Sequence, residues 1–171
     1  MSSDEIQIDD LHYLDDLTSN KGYWGNWSSS GATAQFTSNG LQISGSGGSN
    51  KLYPLNIQYP TDYSVEYMIT ALNRDTGGYI AEGTIEGISL QCNNSTSYIY
   101  SLGNWDTSVS YPSTLEVGDI IKFVKQSNII YIYKNNVLLG SKTKNNSYNG
   151  FKINQYGPRG FTIKNLKIRQ L

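Results

Sequence analysis

The stretch Ile120-Ile121-Lys122-Phe123-Val124-Lys125-Gln126-Ser127-Asn128-Ile129-Ile130-Tyr131-Ile132-Tyr133-Lys134-Asn135-Asn136-Val137-Leu138-Leu139 decides the fold class. Two apolar runs, Ile120 to Lys125 and Ile129 to Lys134, are strand-like and are joined by Gln126, Ser127 and Asn128, the composition of a short hairpin loop. Asn135 and Asn136 both tolerate the left-handed backbone, so a second reversal is expected there, into Val137, Leu138 and Leu139. The segment therefore predicts a three-stranded antiparallel meander.

The same period of two continues outward. From Tyr63 to Leu72, Val65, Tyr67, Ile69 and Ala71 are expected on one face and Ser64, Glu66, Met68 and Thr70 on the other. From Glu86 to Asn93, Ile88, Leu90 and Cys92 form an apolar row, while Ser89, Gln91 and Asn93 form a polar row expected to meet solvent or ligand. Gly, Asn, Ser and Pro clusters punctuate these runs, Ser44 to Asn50 among them, and only Ile8 to Leu17 could carry a short helical turn. The reading is all-β: an antiparallel β-sandwich, with residues 1–171 as one domain and acidic residues 1–10 as a flexible lead-in.

Composition narrows the function. Thirteen basic and fourteen acidic side chains leave a net charge of -1, which gives no field to attract phosphate backbones or anionic membranes. Nucleic acid and membrane are not expected partners. Only 16% of residues are charged, and Tyr occurs fourteen times against four Phe, so polarity comes from groups that hydrogen-bond and stack without ionising. Cys92 is the single cysteine and reads as a small buried hydrophobe. The single His12 lies far from it in an acidic segment, which gives no nucleophile and base pair. One His and one Cys cannot supply a zinc site of ordinary ligand count, and Asp9, Asp10, Asp15 and Asp16 match no calcium cage, so no metal or cofactor is expected. No run approaches the ~20 apolar residues of a membrane span. Met1 to Asp10 lacks the basic start and apolar run of a signal peptide, which suggests a domain cut from a longer chain or a virion protein.

Three blocks carry a family likeness. The first is Asp16-Leu17 followed by Trp24, Trp27 and Asn39-Gly40-Leu41-Gln42-Ile43; the second joins Val117 to Phe123 with Asn128 to Val137; the third is Gly157 to Ile168. Together they resemble the concanavalin A-like lectin and laminin-G-like superfamily. The resemblance implies a jelly-roll sandwich in which the third block is a closing strand beside the first, with Trp24 and Trp27 in core packing. Asn135-Asn136 stands where the superfamily usually has Asn-Gly. The hydrolases of this superfamily carry Glu-x-Asp-x-x-Glu, which Glu82-Gly83-Thr84-Ile85-Glu86 does not reproduce. Glu82 and Glu86 remain the best carboxylate pair, since a spacing of four on a regular strand puts both on one face.

Sugar rings offer apolar C–H faces and a polar rim, so their sites combine flat aromatics with amide, carboxylate or Arg groups. One dense segment of that kind contains Tyr79, Gln91, Asn93, Tyr98, Tyr100, Asn104, Trp105, Asp106 and Tyr111, and Arg74 in a preceding loop is expected to close the same side. Trp105, in the turn-like Gly103-Asn104-Trp105-Asp106, is the first choice for stacking. The competing arrangement has Trp105 plugging the sandwich edge with Tyr98 and Tyr100 pointing inward. The expected function is non-catalytic recognition of a polysaccharide or glycan, in a cell-surface adhesin or a viral receptor-binding or tail protein. Its expected setting is extracellular or on a virion, with a parent protein or virion assembly as a further partner. The alternatives are a structural or protein-assembly sandwich and a glycoside hydrolase.

Overall fold

A computed structural model describes residues 11–25, 32–45, 51–73, 81–92, 96–112, 114–155 and 160–171. Among these, side chains at 32, 45, 51, 52, 73, 81, 82, 105–107 and 155 lie outside the description. The strands follow in chain order as β1 (Leu11–Asp15), β2 (Ala32–Thr37), β3 (Gly40–Gly45), β4 (Lys51–Pro54), β5 (Tyr63–Asn73), β6 (Ala81–Ile85), β7 (Ile88–Cys92), β8 (Ser97–Ser101), β9 (Asn104–Tyr111), β10 (Ile120–Gln126), β11 (Ile129–Lys134), β12 (Val137–Thr143), β13 (Phe151–Gln155) and β14 (Gly160–Gln170). They form two antiparallel sheets. One runs β12-β11-β10-β5-β14-β3-β2 with β1 beside β14; the other runs β4-β13-β6-β7-β8-β9.

The meander forms as the sequence reads. Asn135 and Asn136 have φ of 49° and 65°, the two left-handed positions that suit a hairpin twist. Asn135 also explains why an amide serves this turn: its Oδ1 accepts from Ile120 N at 2.9 Å and its Nδ2 donates to Asp119 Oδ1 at 2.8 Å, pinning the start of β10. The β10–β11 loop is shorter than expected, because Gln126 pairs with Ile129 and leaves Ser127-Asn128 as a two-residue turn.

Between the sheets, Val65, Tyr67 and Ile69 of β5, Ile121 and Phe123 of β10, and Ile163, Leu166 and Ile168 of β14 meet Ile85, Ile88, Leu90, Ile99, Phe151 and Ile153 of the second sheet. Gly83 makes room for Tyr67, whose hydroxyl would lie 2.3 Å from a Cβ at that position. Trp24 stacks on Tyr53 at 5.2 Å and meets Phe151 edge-on, a core role matching the expectation; Trp27 lies outside the described residues. Cys92 is fully buried.

Three expectations are corrected. Leu11 to Asp15 is a strand and not a helical turn, because β14 offers it a ladder from Arg169 to Leu166. Ala71 is exposed while Leu72 packs on the core: β5 bulges against β14 between Thr162 and Ile163, which shifts its phase by one residue. The polar row of β7 does not face solvent, since Ile88 to Cys92 are buried on both faces.

Candidate functional site

The second sheet aligns two rows of residues across its strands. In the first, Pro54, Lys152, Thr84, Ser89 and Tyr100 lie opposite one another in turn. In the second, Glu82, Gln91, Tyr98 and Ser110 are aligned, with Asn154 two residues from Lys152 on the same face of β13. The outward side chains Thr84, Ser89, Gln91, Tyr100 and Asn154 are nevertheless buried. Thr84 and Ser89 satisfy each other, with Oγ atoms 3.0 Å apart. Gln91 is only 4% exposed, and among the described residues its carboxamide oxygen has no hydrogen-bond partner. Leaving such an acceptor unpaired costs about 1–3 kcal/mol, so the position favours a donor from outside the chain, a water or a hydroxyl.

The residues singled out from sequence separate here. Gln91, Tyr98 and Tyr100 come together: Gln91 lies opposite Tyr98, Ser89 lies opposite Tyr100, and the two tyrosines share the outer face of β8 while Ile99 enters the core. Tyr98 is half-buried and Tyr100 is 7% exposed, so Tyr100 forms part of the floor and is not a free stacking surface. Tyr111 is on the opposite side. It pairs with Ser97 and packs on the core, its hydroxyl 2.1 Å from where a Cβ on Gly140 would stand, so the missing side chain at Gly140 draws the ring between the sheet edges. Asn104 is exposed at the β8–β9 turn. Trp105 and Asp106 belong to β9, but their side chains lie outside the described residues, as do Arg74, Tyr79 and Asn93 entirely.

The carboxylate pair dissolves. Glu82 lies on β6, whereas Glu86 forms the β6–β7 turn with Gly87 at φ of 49° and 76°, so a regular-strand spacing does not apply. Glu86 is 8% exposed, and its Oε1 accepts from Tyr63 Oη at 2.7 Å and from Gly150 N at 3.2 Å. Burial, first, and then this bond to Glu86 push the Tyr63 hydroxyl well above the ordinary tyrosine range. The acidic cluster near the start is likewise structural where it is described. Asp15 is buried, accepting from Tyr13 Oη and Leu17 N and pairing with Lys21 at 3.3 Å. Asp16 is exposed and held below the usual carboxylate range by hydrogen bonds from Thr18. Asp9 and Asp10 lie outside the described residues.

No protein-family model and no curated protein sequence matches the chain. Solved structures do. A Bacillus subtilis protein of unknown function with a galectin-like fold superposes with a TM-score of 0.70 at 11% identity, over 94% of this chain and 96% of that one. A Bacillus licheniformis beta-glucanase gives 0.67 at 12%, over 96% and 100%. A carbohydrate-binding module from Bacillus subtilis gives 0.62 at 14%, over 86% and 96%. The fold is a concanavalin A-like jelly roll.

Within this jelly roll, Asn154 is the floor residue that sequence reading passed over. The alternation Phe151, Lys152, Ile153, Asn154 carries the signal, with two buried apolar residues marking the core phase and leaving Lys152 and Asn154 outward. Lys152 is the described charge on this floor, and its ammonium sits 5.4 Å from the Tyr148 ring centroid.

Proposed function

We propose that the chain is a non-catalytic carbohydrate-recognition domain that holds a neutral saccharide against the outer face of the β4–β9 sheet. The observation that carries this reading is the buried carboxamide oxygen of Gln91, which has no hydrogen-bond partner among the described residues and stands in register between Glu82 and Tyr98. A hydroxyl-rich ligand supplies the missing donor through a bridging water, and half-buried Tyr98 supplies ring surface for its C–H faces. The resemblance to a carbohydrate-binding module and a galectin-like protein supports the reading, as does the engagement of Glu86 by Tyr63 and Gly150, which gives that carboxylate a structural task. The setting that goes with this function is extracellular, on a cell-surface adhesin or a viral receptor-binding or tail protein.

Affinity electrophoresis through gels containing a panel of neutral polysaccharides tests it. At least one polysaccharide should retard the wild-type chain, and Gln91→Leu should weaken that retention about tenfold, the share of one buried hydrogen bond. Trp105→Ala measures whether the neighbouring β9 ring contributes. A folded wild-type chain that no neutral polysaccharide retards would overturn the proposal. A second reading, a protein-assembly sandwich, draws on exposed Val137 and Leu138 of the edge strand β12. Light scattering that shows an oligomer, lost in Val137→Lys, would favour it.

A further inference from the structure

The outer face of the larger sheet bears a different chemistry. Tyr133, Lys122, Glu66 and Lys167 form one row across β11, β10, β5 and β14, and Tyr131, Val124, Ser64 and Arg169 form the next. A recess of about 230 Å³ opens over these rows, lined by Ser64, Glu66, Lys122, Val124, Lys167 and Arg169. Its volume suits a single ring with its substituents and not a folded segment. Three cations face the Glu66 side chain there, and Leu171 also lines the recess. Glu66 is engaged by Lys167 at 3.7 Å, and Lys122 is poised over the Tyr133 ring at 5.3 Å. Among the described residues, no carboxylate comes within ion-pair distance of Lys122 or Arg169. In a chain of net charge -1 this grouping of cations stands out, and the planar guanidinium of Arg169 suits an oxyanion. Tyr131 and Tyr133, half-buried on the same face, add ring surface beside it.

We propose that this recess is a second binding site, independent of the first, for an acidic saccharide whose carboxylate or sulfate meets Arg169 and Lys122 while its ring lies along Tyr131 and Tyr133. The test is titration of the full chain at low salt with polygalacturonate, dextran sulfate, neutral dextran and polyglutamate. Polygalacturonate or dextran sulfate should bind, the better of the two identifying carboxylate or sulfate, and neutral dextran should not compete for the recess. Lys122→Gln with Arg169→Gln should weaken binding by at least about tenfold, Tyr131→Ala should weaken it further, and Gln91→Leu should leave it unchanged. The two single variants carry the same test if the double variant loses its native circular dichroism. Failure of both acidic polysaccharides to bind, undiminished binding by the Lys122 and Arg169 variants, or equally tight binding of polyglutamate would overturn the proposal. The last result would assign the face to an acidic protein partner. Because the Gln91 variant separates the two sites, either can fail without the other.

Discussion

The two outer faces of the sandwich are built from the same period-two pattern and end in opposite environments. On β7 the polar partners of a core row, Ser89 and Gln91, are buried; on β5 the corresponding Glu66, Met68 and Thr70 are part-exposed. Their chemistry follows their surroundings. The covered face uses hydroxyls and amides at Thr84, Ser89, Gln91 and Asn154, whereas the open face uses Glu66, Lys122, Lys167 and Arg169. A neutral polar group needs only a hydrogen bond when water is withdrawn, but an ion needs a partner of opposite charge as well. The buried positions of such a row thus carry uncharged polar groups, and Lys152, the described charge on the covered face, is itself only part-buried.

The most direct way to break this contrast is to move a charge across it. Ser89→Lys, between Thr84 and Tyr100, should lower stability by about 3–5 kcal/mol, the penalty of an unpaired buried ion, whereas Met68→Glu on the other sheet, opposite Lys164, should stay within about 0.5 kcal/mol. Urea unfolding of the two variants decides it; equal midpoints would mean that the two faces do not differ in burial. Next in size is Glu86→Ala, which strands the Tyr63 hydroxyl and the Gly150 amide and should cost about 2–3 kcal/mol. A near-neutral result would return Glu86 to the list of groups free for chemistry.

The core that both faces share should respond to alkali. Burial raises the Tyr59 and Tyr63 hydroxyls above their ordinary range, so the folded state holds these protons more tightly than the unfolded chain does. Their contribution is intact below about pH 10, the unfolded tyrosine value, and is lost as pH rises beyond it. The urea midpoint should therefore fall between about pH 9.5 and 11. Tyr63→Phe should flatten that fall, and a wild-type midpoint that holds steady across this range would count against the assignment.

Much of this was legible before any coordinates. The Asn135-Asn136 turn and the meander follow from local chemistry and period, while the closing strand and the core role of Trp24 follow from the family resemblance. The errors share one cause, which is that phase and cover are set by neighbours. Leu11 to Asp15 becomes a strand because β14 is there to pair with it, and the bulge on β5 is fixed by its register against β14. Tyr111 turns inward because Gly140, distant in sequence, has no side chain. Of the ligand candidates, Gln91, Tyr98 and Tyr100 converge because they occupy equivalent phases on adjacent strands, which a polar alternation can reveal. Tyr111 did not share that phase, and nothing local announces it.

The smallest effect lies on the open face. Lys167 and Glu66 are 3.7 Å apart and part-exposed, so their pairing should contribute at most about 0.5 kcal/mol in a double-mutant cycle and vanish in high salt. Glu66 also lies between Lys122 and Lys167 in register and screens them from each other. Glu66→Gln should then lower stability slightly at low salt through cation repulsion, and the same substitution should tighten binding of an acidic polysaccharide by removing a carboxylate that competes with it. Opposite signs from a single substitution separate a binding surface from a merely charged one. If stability and affinity fall together, the recess is a structural feature of the open face and its positive charge has no ligand to answer to.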